Sequence, residues 1–272
     1  NIKDAPKADR MYAAFLSSRD DSFIKRTENG FKAELSESDN ADGCYFIFDL
    51  GGESAGFLDL CINVPEKAEI LIGYGEHCDD MRVRSKLGSR NFCFRYVAKP
   101  GFNEFFYPYQ RIGLRFLQIH VYSRSAEIIR AGIRPSDYPL NILPCPVTDG
   151  LHKMIYNVGV KTLRLCMHEH YEDCPWREQA LYAMDSRVQM LCGYYAFGEF
   201  EFAKAALVLM SHSYRESDGL LELCSPGREP ITIPGFTAVF LRQVYEYILY
   251  SGDKSFDSDF MRVIGKIADG FI

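Results

Sequence analysis

The chain has 272 residues, of which 47% are hydrophobic and 25% charged, with a formal net charge of −6. This is the composition of a folded globular protein and argues against disorder. The basic residues form no block and no apolar run reaches the length of a membrane span, so neither nucleic acid nor a membrane is expected as a partner.

The first half reads as strands. Residues 44–49 are rich in β-formers and stop at Gly51 and Gly52; residues 57–64 alternate and stop at Pro65. Residues 68–74 stop at Gly75, residues 90–98 end at Pro100 and Gly101, and residues 103–107, 114–122 and 126–133 follow. Short alternating runs with Gly and Pro punctuation predict an antiparallel β-sandwich. The period then changes. Residues 137–149 hold three prolines and read as a linker. Thr148 or Asp149 caps a helix running to about Cys166, with Leu151, Ile155, Val158, Thr162 and Leu165 on one face. A second helix is expected to open with Pro175 in its first turn and to run to Phe197, where Gly198 ends it. Residues 199–213, residues 236–250 and the pattern from Phe256 onward predict three more, joined as helical hairpins. The domains expected are a β part over 1–140 and a helical part over 141–272. The last helical pattern reaches Ile272 without a cap or polar tail, which predicts a truncated domain whose helices expose apolar faces.

Nine cysteines are scattered without a framework. An odd count in a chain this long fits thiols in a reducing compartment, and with no signal peptide visible a cytoplasmic location is expected. The chain starts at Asn1 rather than Met. Aromatic residues reach 14%, enough to fill cores or to furnish platforms for sugar rings.

The densest polar stretch is residues 168–178 (HEHYEDCPWRE), followed by Asp185. His168, His170 and Cys174 with a carboxylate offer metal ligands but lack the paired spacing of a structural site. Cys174 as a nucleophile is opposed by Pro175 directly after it and by the absence of a Gly-rich oxyanion turn. Carboxylate chemistry is the third reading. Asp173 precedes the expected helix, Glu178 lies about one turn in, and Asp185 returns to the same face seven residues on. Glycoside hydrolysis needs a protonated carboxylic acid for the leaving oxygen and a carboxylate for water or for attack. A neighbouring acid raises the donor's pKa. The plain alternative makes Asp173 a helix cap and Glu178 a surface acid favoured by the helix dipole. Pattern alone leaves both open.

The run Asp173-Cys174-Pro175-Trp176-Arg177-Glu178-Gln179, followed by Tyr182 and Asp185, resembles the catalytic segment of the bacterial α-L-rhamnosidases of glycoside hydrolase family 78. Residues 145–149 (CPVTD) and the following helix resemble the start of that family's barrel. Residues 48–57, 74–76 and 115–117 resemble its preceding β-sandwich. Residues 217–220, Ile233 with Pro234, and residues 247–253 (YILYSGD) also match. The resemblance implies a β-sandwich followed by the first helices of an (α/α)6 six-hairpin barrel. It implies an inverting glycosidase acting on terminal α-L-rhamnose or a similar deoxy sugar; no cofactor is expected, and no metal, because the sequence offers no ligand set. Carried over, Glu178 is the general acid. Asp173, Arg177 and Asp185 hold sugar hydroxyls, Trp176 or Tyr182 packs against a sugar ring, and His170 lines the pocket. The family's general base lies later in its barrel, past Ile272, and neither Glu222 nor Glu246 takes that role. Met184 stands where glycine is common in the family, and Gly235 where members often carry an acid. Both departures bear on the substrate more than on the fold. The alternatives are a non-catalytic carbohydrate-binding or structural fragment, and a related α/α-barrel enzyme such as a lyase. Oligomeric state is not specified.

Overall fold

The computed structural model describes residues 24–37, 41–79, 82–227 and 229–271. The chain divides into two compact units between Ser136 and Asp137.

The first unit is built on one seven-stranded antiparallel sheet. Its strands are β1 (Ile24–Arg26), β2 (Phe31–Glu34), β3 (Cys44–Val64), β4 (Ala68–Gly75), β9 (Cys93–Ala98), β10 (Gly101–Val121) and β11 (Ser125–Pro135). The spatial order is β1-β2-β11-β3-β10-β4-β9. The short strands β5 (Cys78–Asp79) with β6 (Arg82–Val83), and β7 (Lys86–Leu87) with β8 (Arg90–Asn91), form two small hairpins between β4 and β9.

The sequence led to separate strands at 44–49 and 57–64, and at 103–107 and 114–122. Each pair is one strand of 21 residues. The two pair along their whole length, from Cys44↔Val121 to Val64↔Gly101, and absorb the apparent breaks as bulges. Gly51 does have the left-handed φ of +79 that suggested a stop. Its N–H donates to Asp49 Oδ1 at 2.8 Å, and the chain rejoins the same ladder at Ser54↔Leu114. Arg115 holds the bulge from the partner strand, with Nε and Nη2 each 2.9 Å from an Asp49 oxygen. That guanidinium lowers the Asp49 carboxyl to about 2.

Alternation gives way to continuous burial at residues 58–62 and 70–75, so both faces of the sheet are covered there. Leu58, Leu60, Ile62, Ile70, Ile72, Leu114 and Leu117 form this core. Asn103 and His120 are among the polar groups buried in this unit. Asn103 caps the β9–β10 turn, donating to Lys99 O and Gly101 O at 2.8 Å and accepting from Lys99 N–H at 3.0 Å. His120, pushed down to about 4 by burial, remains neutral at pH 7.

The second unit is helical. Its elements are α1 (Gly150–Leu165), α2 (Ala183–Ala196), α3 (Glu201–Ser211), α4 (Pro234–Ser251) and α5 (Ser258–Gly270). Asp149 caps α1 by accepting from His152 N–H at 3.0 Å, and Gly252 ends α4 in the left-handed region with φ +72. The helices share a core of Tyr171, Leu181, Met190, Leu207 and Phe240. Phe256 and Phe260 stack at 4.2 Å in the turn and helix that close it. α1 is the exception: Leu163 is its one fully buried residue. Leu151, Ile155 and Val158, on the apolar face that the helical period marks out, are 59–60% exposed, and Met154 beside them is 57% exposed.

The helix expected from Pro175 begins only at Ala183. Residues 175–178 form a turn and residues 179–182 run on without helix, because side chains there offer the backbone other partners. Gln179 adopts a left-handed φ of +55 and donates from Nε2 to Pro175 O at 2.7 Å.

Candidate functional site

The acid-rich segment leaves α1 at Cys166, whose N–H still bonds Leu163 O, and folds back at once. Met167 bridges Tyr171, and Glu172 N–H donates to Cys166 O at 2.9 Å. Tyr171 is fully buried, edge-on to Phe202 at 4.7 Å, and anchors the segment in the helical core. From α2, Gln189 Nε2 donates to Glu172 O at 2.6 Å.

Asp173 closes the loop that follows. Its N–H donates to Ala180 O and its Oδ1 accepts from Ala180 N–H, both at 3.0 Å. Its Oδ2 accepts from the Cys174 thiol at 3.0 Å. The same sulfur lies 3.5 Å from Glu178 N. Cys174 therefore ties the first acid to the backbone of the second. Burial, and then the bond to Asp173, pushes the Cys174 thiol up. It stays protonated at neutral pH, the opposite of what a nucleophilic cysteine needs.

Both oxygens of Glu178 are engaged. Oε2 accepts from the Tyr182 hydroxyl at 2.9 Å, and Oε1 pairs with Arg177 Nη2 at 2.9 Å. Asp185 follows in the first turn of α2. Desolvation raises its carboxyl, and the negative charges of Asp173 and Glu178 raise it further. The three carboxylates thus share one field, and the loop brings them together. The helical period drawn from the sequence does not, since Asp173 and Glu178 precede the helix.

The other sequence candidates are distributed around this loop. Arg177 is exposed beside Glu178, and Tyr182 meets Phe236 edge-on at 6.4 Å. Trp176 is buried, with 7% of its surface exposed. His170 is half-buried, its Nδ1 2.8 Å from Tyr171 O. His168 turns Nε2 to Leu165 O at 3.0 Å. Among the described residues no three His, Cys, Asp or Glu side chains gather as a metal ion requires. No disulfide joins any of the nine cysteines.

A cavity of about 550 Å³ opens between α1 and α2. Tyr156, Leu163, Val188, Cys192 and Tyr195 line it, and Asp173 and Gln189 supply polar groups to its wall. Of the candidate acids only Asp173 reaches this wall; Glu178 and Asp185 do not line the cavity.

One neighbouring segment carries no sequence signal. Leu181 bridges Ser225, which brings residues 222–225 to the loop. The Cys224 thiol is raised by burial and by the charges of Glu229, Glu222, Asp173 and Glu178, which puts it in the same acidic field. Only tertiary pairing reveals this. Glu246 is differently placed: Arg187 grips both its oxygens at 2.7 and 2.9 Å, and Arg242 adds a bond at 2.7 Å. Such a carboxylate is a fixture of the α2–α4 contact.

No family model matches the chain, and no curated protein matches its sequence. Solved structures do match. The family 78 rhamnosidase of Bacillus sp. GL1 superposes with a TM-score of 0.74 at 24% identity, covering 97% of this chain and 26% of that one. A rhamnosidase from Klebsiella oxytoca with rhamnose bound gives 0.69 at 18% identity, over 90% of this chain and 54% of that one. The α-L-rhamnosidase from Dictyoglumus thermophilum gives 0.62 at 14% identity, over 83% and 27%. The chain spans between about a quarter and about a half of these proteins' lengths, and at such identities the likeness is one of fold.

Proposed function

We propose that this chain is part of a glycoside hydrolase of the α-L-rhamnosidase type, with its helical unit contributing the first helices of an (α/α)6 barrel. The observation that carries this is the shared field of Asp173, Glu178 and Asp185, three carboxylates held on one short loop and the helix it feeds. The fold likeness to rhamnosidases over nearly the whole chain supports the substrate class.

In this mechanism Glu178 is the general acid. Its carboxyl proton passes to the glycosidic oxygen as the bond to the anomeric carbon breaks, and the bonding electrons leave with that oxygen. Water adds to the anomeric carbon from the opposite face, and a carboxylate elsewhere in the protein takes its proton, so that the anomer is inverted. Asp173 and Asp185 accept from sugar hydroxyls, and their negative charges stabilise the oxocarbenium-like transition state. Arg177 donates to the sugar once it leaves Glu178. His170 and Tyr182 line the approach, while Trp176, 7% exposed, is left to packing.

The test is hydrolysis of nitrophenyl α-L-rhamnoside by the protein that carries this chain, with the first-formed anomer followed by NMR. Release of β-L-rhamnose by the wild type, and its loss in Glu178→Gln, is the expected outcome. Release of the α-anomer first contradicts inversion, and full activity in Glu178→Gln removes Glu178 from the role. A second reading, sugar binding without turnover, draws on the engagement of both Glu178 oxygens; saturable rhamnoside binding with no product favours it.

A further inference from the structure

The two partners of Glu178 are held very differently. Tyr182 caps α2: its carbonyl accepts from Ser186 N–H at 3.0 Å, and Leu181 and Ala183 on either side of it are buried. Its ring packs edge-on to Phe236, and its hydroxyl lies 2.9 Å from Glu178 Oε2. Desolvation, and then the Glu178 carboxylate, raises the phenol, so it keeps its proton at neutral pH and donates. Arg177 sits in the preceding turn with 47% of its side chain exposed, against 22% for Glu178. An exposed arginine changes partners at little cost, whereas a phenol fixed by helix and core does not.

We propose that Tyr182 is a positioning residue for the general acid: it anchors Oε2 and so presents Oε1, the oxygen released by Arg177, as the one that carries the proton to the glycosidic oxygen. This rests on the reading of Glu178 as general acid. A carboxyl anchored through one oxygen has its terminal torsion fixed, and that torsion is otherwise broad. The remaining oxygen is then aimed before substrate arrives, which is what proton transfer in a bound complex requires. During the step Oε1 loses its proton to the leaving oxygen. Tyr182 keeps its own proton and its bond to the new carboxylate.

Tyr182→Phe retains the ring and its contact with Phe236 and deletes the hydroxyl alone. It is compared with the wild type, Glu178→Gln and the double variant on two aryl α-L-rhamnosides, one with a poor leaving group and one with a good one. The expected result is a fall in kcat of about tenfold on the poor leaving group, the size of one lost charge-assisted hydrogen bond. On the good leaving group, which needs little acid help, the fall is under about twofold, with KM nearly unchanged on both. In the Glu178→Gln background Tyr182→Phe should cost nothing more, because a residue acting through another has no separate effect once that other is gone. Equal losses on both substrates, or a further loss in the double variant, mark a merely structural role and overturn the proposal. If Tyr182→Phe melts early, 3-fluorotyrosine at 182 alters donor strength without altering packing. A changed kcat on the poor leaving group then supports the anchor, and an unchanged one overturns it. A wild type that hydrolyses neither substrate removes the general acid and the anchor together. An active wild type with an impaired Glu178→Gln and a normal Tyr182→Phe removes the anchor alone.

Discussion

Glu246 on α4 and Asp185 on α2 are carboxylates of the same helical unit displaced in opposite directions. Two arginines lower Glu246, while desolvation and two further carboxylates raise Asp185. The first cluster has more cations than anions and ties two helices together; the second has three acids around the single cation Arg177 in the described contacts. A cluster that stabilises the fold neutralises its charges. One that leaves like charges together weakens the fold locally and is the pattern found where acids are used chemically.

Substitutions in the two clusters should therefore part company. The largest effect expected is on catalysis in Glu178→Gln: kcat on a rhamnoside with a poor leaving group falls by about 10²–10⁴-fold, while the unfolding midpoint in urea is nearly unchanged. Glu246→Gln should do the reverse. It leaves two arginines short of their shared acceptor and lowers the free energy of unfolding by about 2 kcal/mol, read from urea melts, with kcat within about twofold. A Glu246→Gln protein of native stability, or one that loses turnover without losing stability, erases the distinction.

The pH dependence sharpens it further. Asp185 has a raised pKa in the folded protein, so its ionisation costs stability. The cost is absent below the unfolded value near 3.8, grows as pH rises through the folded value, and is complete above it. Glu246 has a lowered pKa. Its contribution is present above the unfolded value near 4.5 and is lost as pH falls through the folded value. Asp185→Asn should therefore stabilise the protein at pH 7, by less than about 1 kcal/mol given the exposure of the residue, and should match the wild type at pH 3. The deficit of Glu246→Gln should instead shrink on acidification. Melts at pH 3, 5 and 7 check both, and parallel curves for the two variants would mean that both acids serve the fold alike.

Local features and those set by tertiary pairing also differ in how far the sequence reveals them. Local chemistry was legible: the cap at Thr148 or Asp149, which falls on Asp149, and the Asp173-Cys174-Pro175 run that marks the loop. Features set by tertiary pairing were hidden. Gly51 has the backbone of a stop, yet it lies inside a 21-residue strand because Arg115 on the partner strand reaches across to Asp49 and holds the bulge. Pro175 has the look of a first helical turn, yet the left-handed Gln179 and the bond from Ala180 N–H to Asp173 keep the helix from starting before Ala183. That miss altered the geometry of the site, because the acids meet across a loop and Tyr182, which holds one of them, caps the helix. The approach of Cys224 and Ser225 to the loop leaves no trace in local sequence at all.

The most direct test of Glu178 as proton donor is a leaving-group series: kcat/KM for aryl α-L-rhamnosides of graded phenol pKa, measured for wild type, Glu178→Gln and Glu246→Gln. Glu178→Gln should lose most where the phenol is least acidic and approach the wild type where it is most acidic, with Glu246→Gln parallel to the wild type throughout. A Glu178→Gln line parallel to the wild type, however far below it, would contradict the assignment.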